Sequence, residues 1–206
     1  MARVRVKICG ITRPDDALAA AEAGADAIGL VFAQSSPRQI SLQQACRIVA
    51  DLPPLVSTVA LFLDPTDQDV ENTIRRLRPS YLQFHGAESP DFCRSFDWPY
   101  IKALAMQGQV NFAEKAQGWD SAAALLLDGH AAGEQGGQGK CFNWDVIPPN
   151  YRQALILAGG LNPENVSEAV QRTRPWAVDV SSGVESSPGI KSTKKMRAFV
   201  ENARNF

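Results

Sequence analysis

The sequence predicts an α/β fold: a single (βα)8 TIM barrel of eight parallel strands that spans residues 1–206. Short apolar runs rich in β-branched residues alternate eight times with longer amphipathic stretches. Each crossover helix returns the chain to the same end of the sheet, so the strands must run parallel. The length of 206 residues lies near the lower limit for such a barrel, about 200 residues.

The strands and helices follow one another in a regular order. The predicted strands are residues 4–8, 27–32, 57–63, 81–84, 100–105, 122–128, 154–158 and 177–180. The predicted helices are residues 14–23, 41–50, 65–77, 90–96, 112–116 and 193–203, a short turn near Trp144, and a helix capped by Asn162. Thr12 and Ser41 are predicted to cap the first two helices, because their hydroxyl groups accept hydrogen bonds from unpaired N–H groups. Gly24 follows the first helix, where a left-handed residue is favoured.

Two alternatives that involve nucleotides are weaker. An open, doubly wound sheet usually carries a glycine-rich fingerprint after its first strand, whereas residues 9–12 read Cys-Gly-Ile-Thr. Residues 136–140 partly match a phosphate-binding P-loop, but Glu134 stands at the required first glycine and Cys141 follows the lysine. The five glycines of residues 129–140 instead predict a mobile loop at the active site.

Composition and charge argue against several classes of function. The chain has 21 basic and 22 acidic residues and no basic tract, so we expect no nucleic-acid partner. No run approaches the roughly 20 apolar residues that cross a membrane, and the N-terminus lacks the apolar core of a signal peptide. The four cysteines form no C-x-x-C pair and only two histidines are present. We therefore expect no metal site, no disulfide framework and a cytoplasmic location.

The active site of a (βα)8 barrel lies at the carboxyl ends of its strands. Polar or small residues at those positions are Cys9, Arg38, Asp64, His85, Asp128, Gly159, Gly160, Asp179, Ser181, Ser182 and Gly183. The glycines after strands seven and eight predict a phosphate site, because backbone N–H groups can approach an anion there. A short extra helix often completes such a site, and residues 187–190 are predicted to begin it. The alternative is that these glycines serve only to form tight turns.

Cys9 and Asp128 are the candidates for acid–base chemistry. Most buried cysteines are inert, and an active Cys9 would need a nearby cation such as Lys7 to lower the pKa of its thiol. Asp128 ends an apolar run, where burial raises the pKa of a carboxyl group and keeps it protonated; a capping role is the alternative. A protonated acid and an ionised base in different surroundings are typical of acid–base catalysis.

Three further residues have weaker individual signals. Arg38 suits a carboxylate ligand because of its planar fork, although a lone arginine is more often a solvated surface residue. His85 is equally well explained as a structural histidine. Asp179 lies within strand eight, where an unpaired charge is costly, so we expect it to face the polar mouth of the barrel.

Five segments resemble the phosphoribosylanthranilate isomerase family. They cover nearly the whole chain in that family's order: KICGIT at 7–12, LQFHG at 82–86, LLD at 126–128, AGGLNPENV at 158–166 and VDVSSGVE at 178–185. The tail segment PGIK at 188–191 also fits.

The resemblance implies an Amadori rearrangement in tryptophan biosynthesis that needs no cofactor. N-(5-phosphoribosyl)anthranilate would become 1-(2-carboxyphenylamino)-1-deoxyribulose 5-phosphate, with Cys9 as general base and Asp128 as general acid. Arg38 would hold the anthranilate carboxylate, and His85 and Asp179 would line the substrate. The phosphate would rest on Gly159, Gly160, Ser182 and Gly183.

Two rival functions stay open at this point. Lys7 shares the face of Cys9 and would suit a Schiff base in an aldolase-type reaction. A catalytically silent phosphosugar-binding protein is the other rival, although a mere binder needs neither Cys9 nor Asp128. The sequence is compatible with a monomer or a homodimer.

Overall fold

Eight parallel strands form a closed barrel in the computed structural model, which describes residues 3–108, 110–129, 142–149 and 151–205. In chain order, β1–β8 are Arg5–Ile8, Ala27–Val31, Ser57–Phe62, Tyr81–Phe84, Tyr100–Ala105, Ala124–Asp128, Leu155–Leu157 and Ala177–Val180. Each strand pairs with the next, and β8 pairs with β1 from Ala177↔Arg5 to Val180↔Ile8. The predicted (βα)8 barrel is confirmed, and the rival architecture, an open doubly wound sheet, is wrong.

Seven α-helices of the described residues pack outside the barrel. In chain order, α1–α7 are Pro14–Glu22, Leu42–Ala50, Asp67–Leu77, Pro90–Arg94, Phe112–Ala116, Val166–Thr173 and Thr193–Arg204. A 3-10 turn, Trp144–Val146, lies between β6 and β7. The predicted loop at 129–140 falls almost entirely outside the described residues. No helix of the described part is long and apolar enough to cross a bilayer.

Two predicted helix caps were wrong, whereas Ser41 caps α2 as expected. Arg13, not Thr12, precedes α1, because the Thr12 hydroxyl instead donates to the Gly189 carbonyl at 2.6 Å. Asn162 caps a turn rather than a helix, since its side chain accepts from the backbone of the next residues in that turn. The helix α6 begins only after Asn165.

The extra helix predicted at residues 187–190 was also wrong. A hairpin lies there, formed by antiparallel β9 (Glu185–Ser187) and β10 (Ile190–Lys191). Pro188 and Gly189 form its turn, and the positive φ of Gly189, 79°, suits glycine at the second central position of a type II turn. The short extra helix occurs earlier, as the 3-10 turn Ser182–Val184 directly after β8.

The two faces of each strand pack in different layers. In β6, Leu125 and Leu127 join a cluster that includes helix residues, whereas Leu126 joins a cluster made almost only of strand residues. Because side chains alternate along a strand, Asp128 shares the inward face of Leu126. The same alternation turns the polar residues near the ends of β1, β4 and β8 into the barrel interior.

Candidate active site

One cavity at the carboxyl ends of the strands collects most of the predicted site residues. Its described lining includes Cys9, Arg38, His85, Asp128, Gly159, Gly160, Asp179, Ser181 and Ser182. Apolar walls come from Val31, Leu61, Leu63 and Leu161. In the part of the chain that the structure describes, no three His, Cys, Asp or Glu side chains are grouped as a metal site.

Cys9 lies directly after β1 and is almost fully buried. Its backbone N–H donates to the Val180 carbonyl at 2.8 Å, which fixes the residue against β8. Gly29 on β2 leaves room for the thiol, because a Cβ there would lie 2.6 Å from Sγ. Burial raises the pKa of the Cys9 thiol above its ordinary value, although the positive charge of Lys7 opposes this. The positive charge of Lys7 therefore lowers the pKa of the thiol, as expected, but burial raises this pKa by more.

A buried ion pair lies beneath Cys9 in the barrel interior. Lys7 and Asp179 are direct partners in the β1–β8 register, and Lys7 Nζ lies 2.8 Å from Asp179 Oδ1. Burial is the largest single influence and would lower the pKa of Lys7, but the charges and hydrogen bonds of Asp179 and Cys9 together outweigh it, so the pKa is raised. A Schiff-base lysine must be neutral and reachable, which disfavours the aldolase-type reading of Lys7. Asp179 faces the barrel mouth as predicted, paired rather than alone.

Asp128 is the last residue of β6 and contacts His85 across the cavity. His85 Nε2 lies 3.3 Å from Asp128 Oδ2. The Asp128 carbonyl accepts from the Met106 N–H at 2.7 Å, which anchors the backbone. Gly159 passes so close that a Cβ there would lie 3.0 Å from Asp128 Oδ1. The loop after β7 thus approaches the carboxyl group that ends β6.

Arg38 is buried and held by Glu185, which Lys191 holds in turn; neither partner was among the predicted site residues. Its Nε and Nη2 donate to the two carboxylate oxygens of Glu185 at 2.7 and 2.8 Å. Lys191 Nζ donates to Glu185 Oε1 at 2.9 Å and to the Ser181 carbonyl at 3.1 Å. Burial disfavours the charged form of Glu185 and would raise the pKa of its carboxyl group. Hydrogen bonds from Arg38 and the charge of Lys191 outweigh burial, so the pKa is lowered. Only the hairpin places Glu185 and Lys191 opposite each other.

The glycine loops after β7 and β8 lie side by side. Gly159 and Gly160 have φ of 80° and 68°, so the left-handed region favours glycine at both positions. Ser182 lines the cavity, and Gly183 follows it. A Cβ on Gly183 would lie 2.0 Å from the Leu161 carbonyl oxygen, so this glycine permits contact between the two loops. Gly183 itself is not among the lining residues.

Another buried ion pair holds the loop that carries His85. Lys102 Nζ lies 2.7 Å from Glu88 Oε2 and donates to the Gly86 carbonyl at 2.7 Å. Glu88 also accepts from the backbone N–H groups of Asp64 and Gly86. Asp64, a polar residue at a predicted strand end, therefore braces this loop. This pairing could not be predicted from the sequence, since Lys102 lies within an apolar strand.

Comparison with known proteins identifies relatives over the full length of the chain. The model of the N-(5'-phosphoribosyl)anthranilate (PRA) isomerase family matches residues 6–202. The N-(5'-phosphoribosyl)anthranilate isomerase of Pseudomonas fluorescens strain SBW25 is 49% identical over 205 residues, covering 100% of this chain and 98% of the relative. That of Halorhodospira halophila is 50% identical and covers 96% of this chain and 95% of the relative.

Two solved structures that match this chain have the same family name as its sequence relatives. The phosphoribosyl anthranilate isomerase of Thermotoga maritima has a TM-score of 0.88 and 40% identity, covering 98% of this chain and 100% of its own. A phosphoribosyl anthranilate isomerase in complex with reduced 1-(o-carboxyphenylamino)-1-deoxyribulose 5-phosphate has a TM-score of 0.85 and 38% identity. It covers 98% of this chain and 100% of that structure.

Proposed function

Because the chain belongs to the N-(5'-phosphoribosyl)anthranilate isomerase family, we propose that its cavity performs an Amadori rearrangement with Cys9 as general base and Asp128 as general acid. Family membership makes the chain an isomerase of tryptophan biosynthesis. The substrate is N-(5-phosphoribosyl)anthranilate and the product 1-(2-carboxyphenylamino)-1-deoxyribulose 5-phosphate.

One observation carries the proposal. Cys9, Asp128 and Arg38 line the same cavity as the glycine loops after β7 and β8, although they come from distant parts of the chain. An aminosugar phosphate needs these functions together: a base, an acid, a cation for its carboxylate and an anion site. A silent binding protein would require only the last two.

The first step is opening of the sugar ring. Protonated Asp128 donates its proton to the ring oxygen as the bond from that oxygen to C1 breaks. The lone pair of the anthranilate nitrogen forms a double bond to C1, which gives a protonated Schiff base. Asp128 is left as a carboxylate.

The second step is removal of a proton from C2. The Cys9 thiolate takes this proton, and the electron pair moves toward C1 and neutralises the Schiff base, so an enolamine forms. Its C2 hydroxyl loses a proton and C1 gains one, which yields the ketone. The nitrogen of the substrate is the electron sink, so no cofactor enters the scheme. Lys7 supplies the positive charge that favours the Cys9 thiolate.

The remaining residues bind and orient the substrate. Arg38 holds the anthranilate carboxylate, and Glu185 fixes the guanidinium plane before the substrate arrives, which reduces the ordering cost of binding. His85 and Asp179 line the sugar. The phosphate rests on the loops that contain Gly159, Gly160, Ser182 and Gly183, where glycine lets backbone N–H groups approach an anion.

Substitution of the acid and the base tests the proposal. Cys9→Ala and Asp128→Ala should each lower kcat about 10²–10⁴-fold, the usual contribution of such groups, while substrate still binds. Turnover is followed by loss of the anthranilate substrate's fluorescence. Arg38→Ala should instead act mainly by raising KM. Near-normal kcat in either of the first two variants would contradict the assignment, and trapping by borohydride at Lys7 would favour a Schiff-base enzyme.

A further inference from the structure

The strand β4 directs two polar side chains toward the proposed acid. Leu82 and Phe84 face the helices, so Gln83 and His85 point into the barrel. Gln83 Nε2 lies 3.2 Å from His85 Nδ1, and His85 Nε2 lies 3.3 Å from Asp128 Oδ2. The three residues therefore form a continuous chain from the buried interior to the cavity.

This chain of contacts fixes which nitrogen of His85 carries the proton. The amide nitrogen of Gln83 can only donate a hydrogen bond, so His85 Nδ1 must accept it. A neutral imidazole has one N–H group, which then lies on Nε2, the nitrogen 3.3 Å from Asp128 Oδ2.

We infer that Gln83 is a positioning residue that sets the tautomer of His85, so that the nitrogen of His85 that lies beside the Asp128 carboxyl group is the one that carries the proton. The inference rests on the proposed role of Asp128. As Asp128 releases its proton to the ring oxygen, its charge grows and its attraction to the N–H group of His85 increases. His85 gives up no proton in this step.

Packing alone does not explain a glutamine at this position. Gln83 is completely buried, and its Oε1 has no hydrogen-bond partner among the described residues. An unpaired buried oxygen is costly, whereas methionine would fill similar space without that cost. The contact with His85 is what the amide provides.

Three variants test the inference kinetically. Gln83→Met removes the donor, and Gln83→Glu offers only an acceptor, which draws the ring proton to Nδ1. Each should lower kcat about 10- to 100-fold with KM nearly unchanged, since a hydrogen bond to a charged group is lost. Ile101→Met is the matched control, because Ile101 pairs with Gln83 in the β4–β5 register and is buried in the cluster of strand residues inside the barrel. It should leave kcat near that of the wild type.

A spectroscopic readout separates a tautomer effect from a loss of packing. Nitrogen-15 NMR of His85, assigned against His85→Asn, should show a proton on Nε2 in the wild type and on Nδ1 in Gln83→Glu. A wild-type ring protonated on Nδ1 would overturn the inference, even where the variants fold poorly.

A double variant distinguishes failure of this inference from failure of the proposed function. Once Asp128→Ala has removed the acid, adding Gln83→Met should cause almost no further loss of kcat. A full, additive loss would overturn the inference while leaving Asp128 as the acid. Near-normal activity of Asp128→Ala itself would instead contradict the proposed function.

Discussion

Replacing Gly183 with alanine should separate the two loops to which we assign phosphate binding. The glycine lies in the 3-10 turn after β8 and packs against the loop after β7. An alanine Cβ would lie 2.0 Å from the carbonyl oxygen of Leu161 and 3.0 Å from the Cα of Asn162. The obstacles are backbone atoms, so a rotation of a side chain cannot relieve the clash.

The size of the effect follows from that geometry. Real Cβ atoms essentially never approach another heavy atom within 3.0 Å, so the loops must move apart by about 1 Å. Overpacking of this kind typically costs about 1–3 kcal/mol of folding free energy. A misplacement of about 1 Å in a binding site can cost about 10²-fold in rate. We therefore expect kcat/KM to fall about 100-fold, chiefly through KM.

Steady-state kinetics and inhibition by inorganic phosphate measure the two consequences together. The inhibition constant for phosphate should rise along with KM, and urea unfolding should report the loss of stability. Gly108→Ala is the control: its φ of 81° also disfavours alanine, but no atom lies within 4 Å of the added Cβ. That variant should lose about 1 kcal/mol from backbone strain and keep its kcat/KM.

A Gly183→Ala enzyme with wild-type KM and unchanged inhibition by phosphate would refute the reasoning. A fall in stability without a change in KM would show that the contact with Leu161 serves folding alone. The phosphate would then have to be bound without help from the junction of these two loops.

Three further predictions concern the thiol and the ionic network. Because burial raises its pKa, Cys9 in the free enzyme should react with iodoacetamide more slowly than half-buried Cys46, and its rate should keep increasing above pH 9.0, the ordinary thiol value. Gly29→Ala should displace that thiol and lower kcat by about tenfold or more, with the fold intact by circular dichroism. The lowered pKa of Glu185 stabilises the fold above its unfolded pKa of about 4.5, and this is lost as pH falls through the lower folded value. Glu185→Gln should therefore be destabilising at pH 7 and nearly neutral at pH 2, as followed by urea unfolding.

Most of the barrel could be predicted because its signals are local. Strands such as β4 and β5 have the predicted bounds, since apolar alternation is read within a few residues. The errors lie where distant segments compete for the same polar group. Thr12 has the chemistry of a helix cap, but its hydroxyl reaches Gly189, 177 residues away. The dipeptide Pro188-Gly189 is typical of a turn, and the prediction of a helix there gave this local pattern too little weight.

The cavity residues could be predicted from one rule, and their partners could not. Cys9, Asp128 and Arg38 could be predicted because each lies at the carboxyl end of a strand or in the loop after it, which places them at one end of the barrel. Glu185 and Lys191 belong to a hairpin whose existence was not foreseen. Their contact with Arg38 depends on that hairpin folding back over the barrel mouth, which no short stretch of sequence encodes.

The buried ion pairs are better explained by catalysis than by stability. Lys7 with Asp179 and Arg38 with Glu185 join residues 172 and 147 positions apart, and both pairs border the cavity. A buried pair contributes little to stability relative to apolar residues of similar size, because removing two charges from water offsets their attraction, although removing one partner alone is costly. What they provide is orientation: a fixed cation lies below Cys9, and the guanidinium plane is fixed before the substrate binds. These two pairs therefore lie beside the groups to which we assign the base and the carboxylate site, and apolar strand residues fill much of the remaining interior.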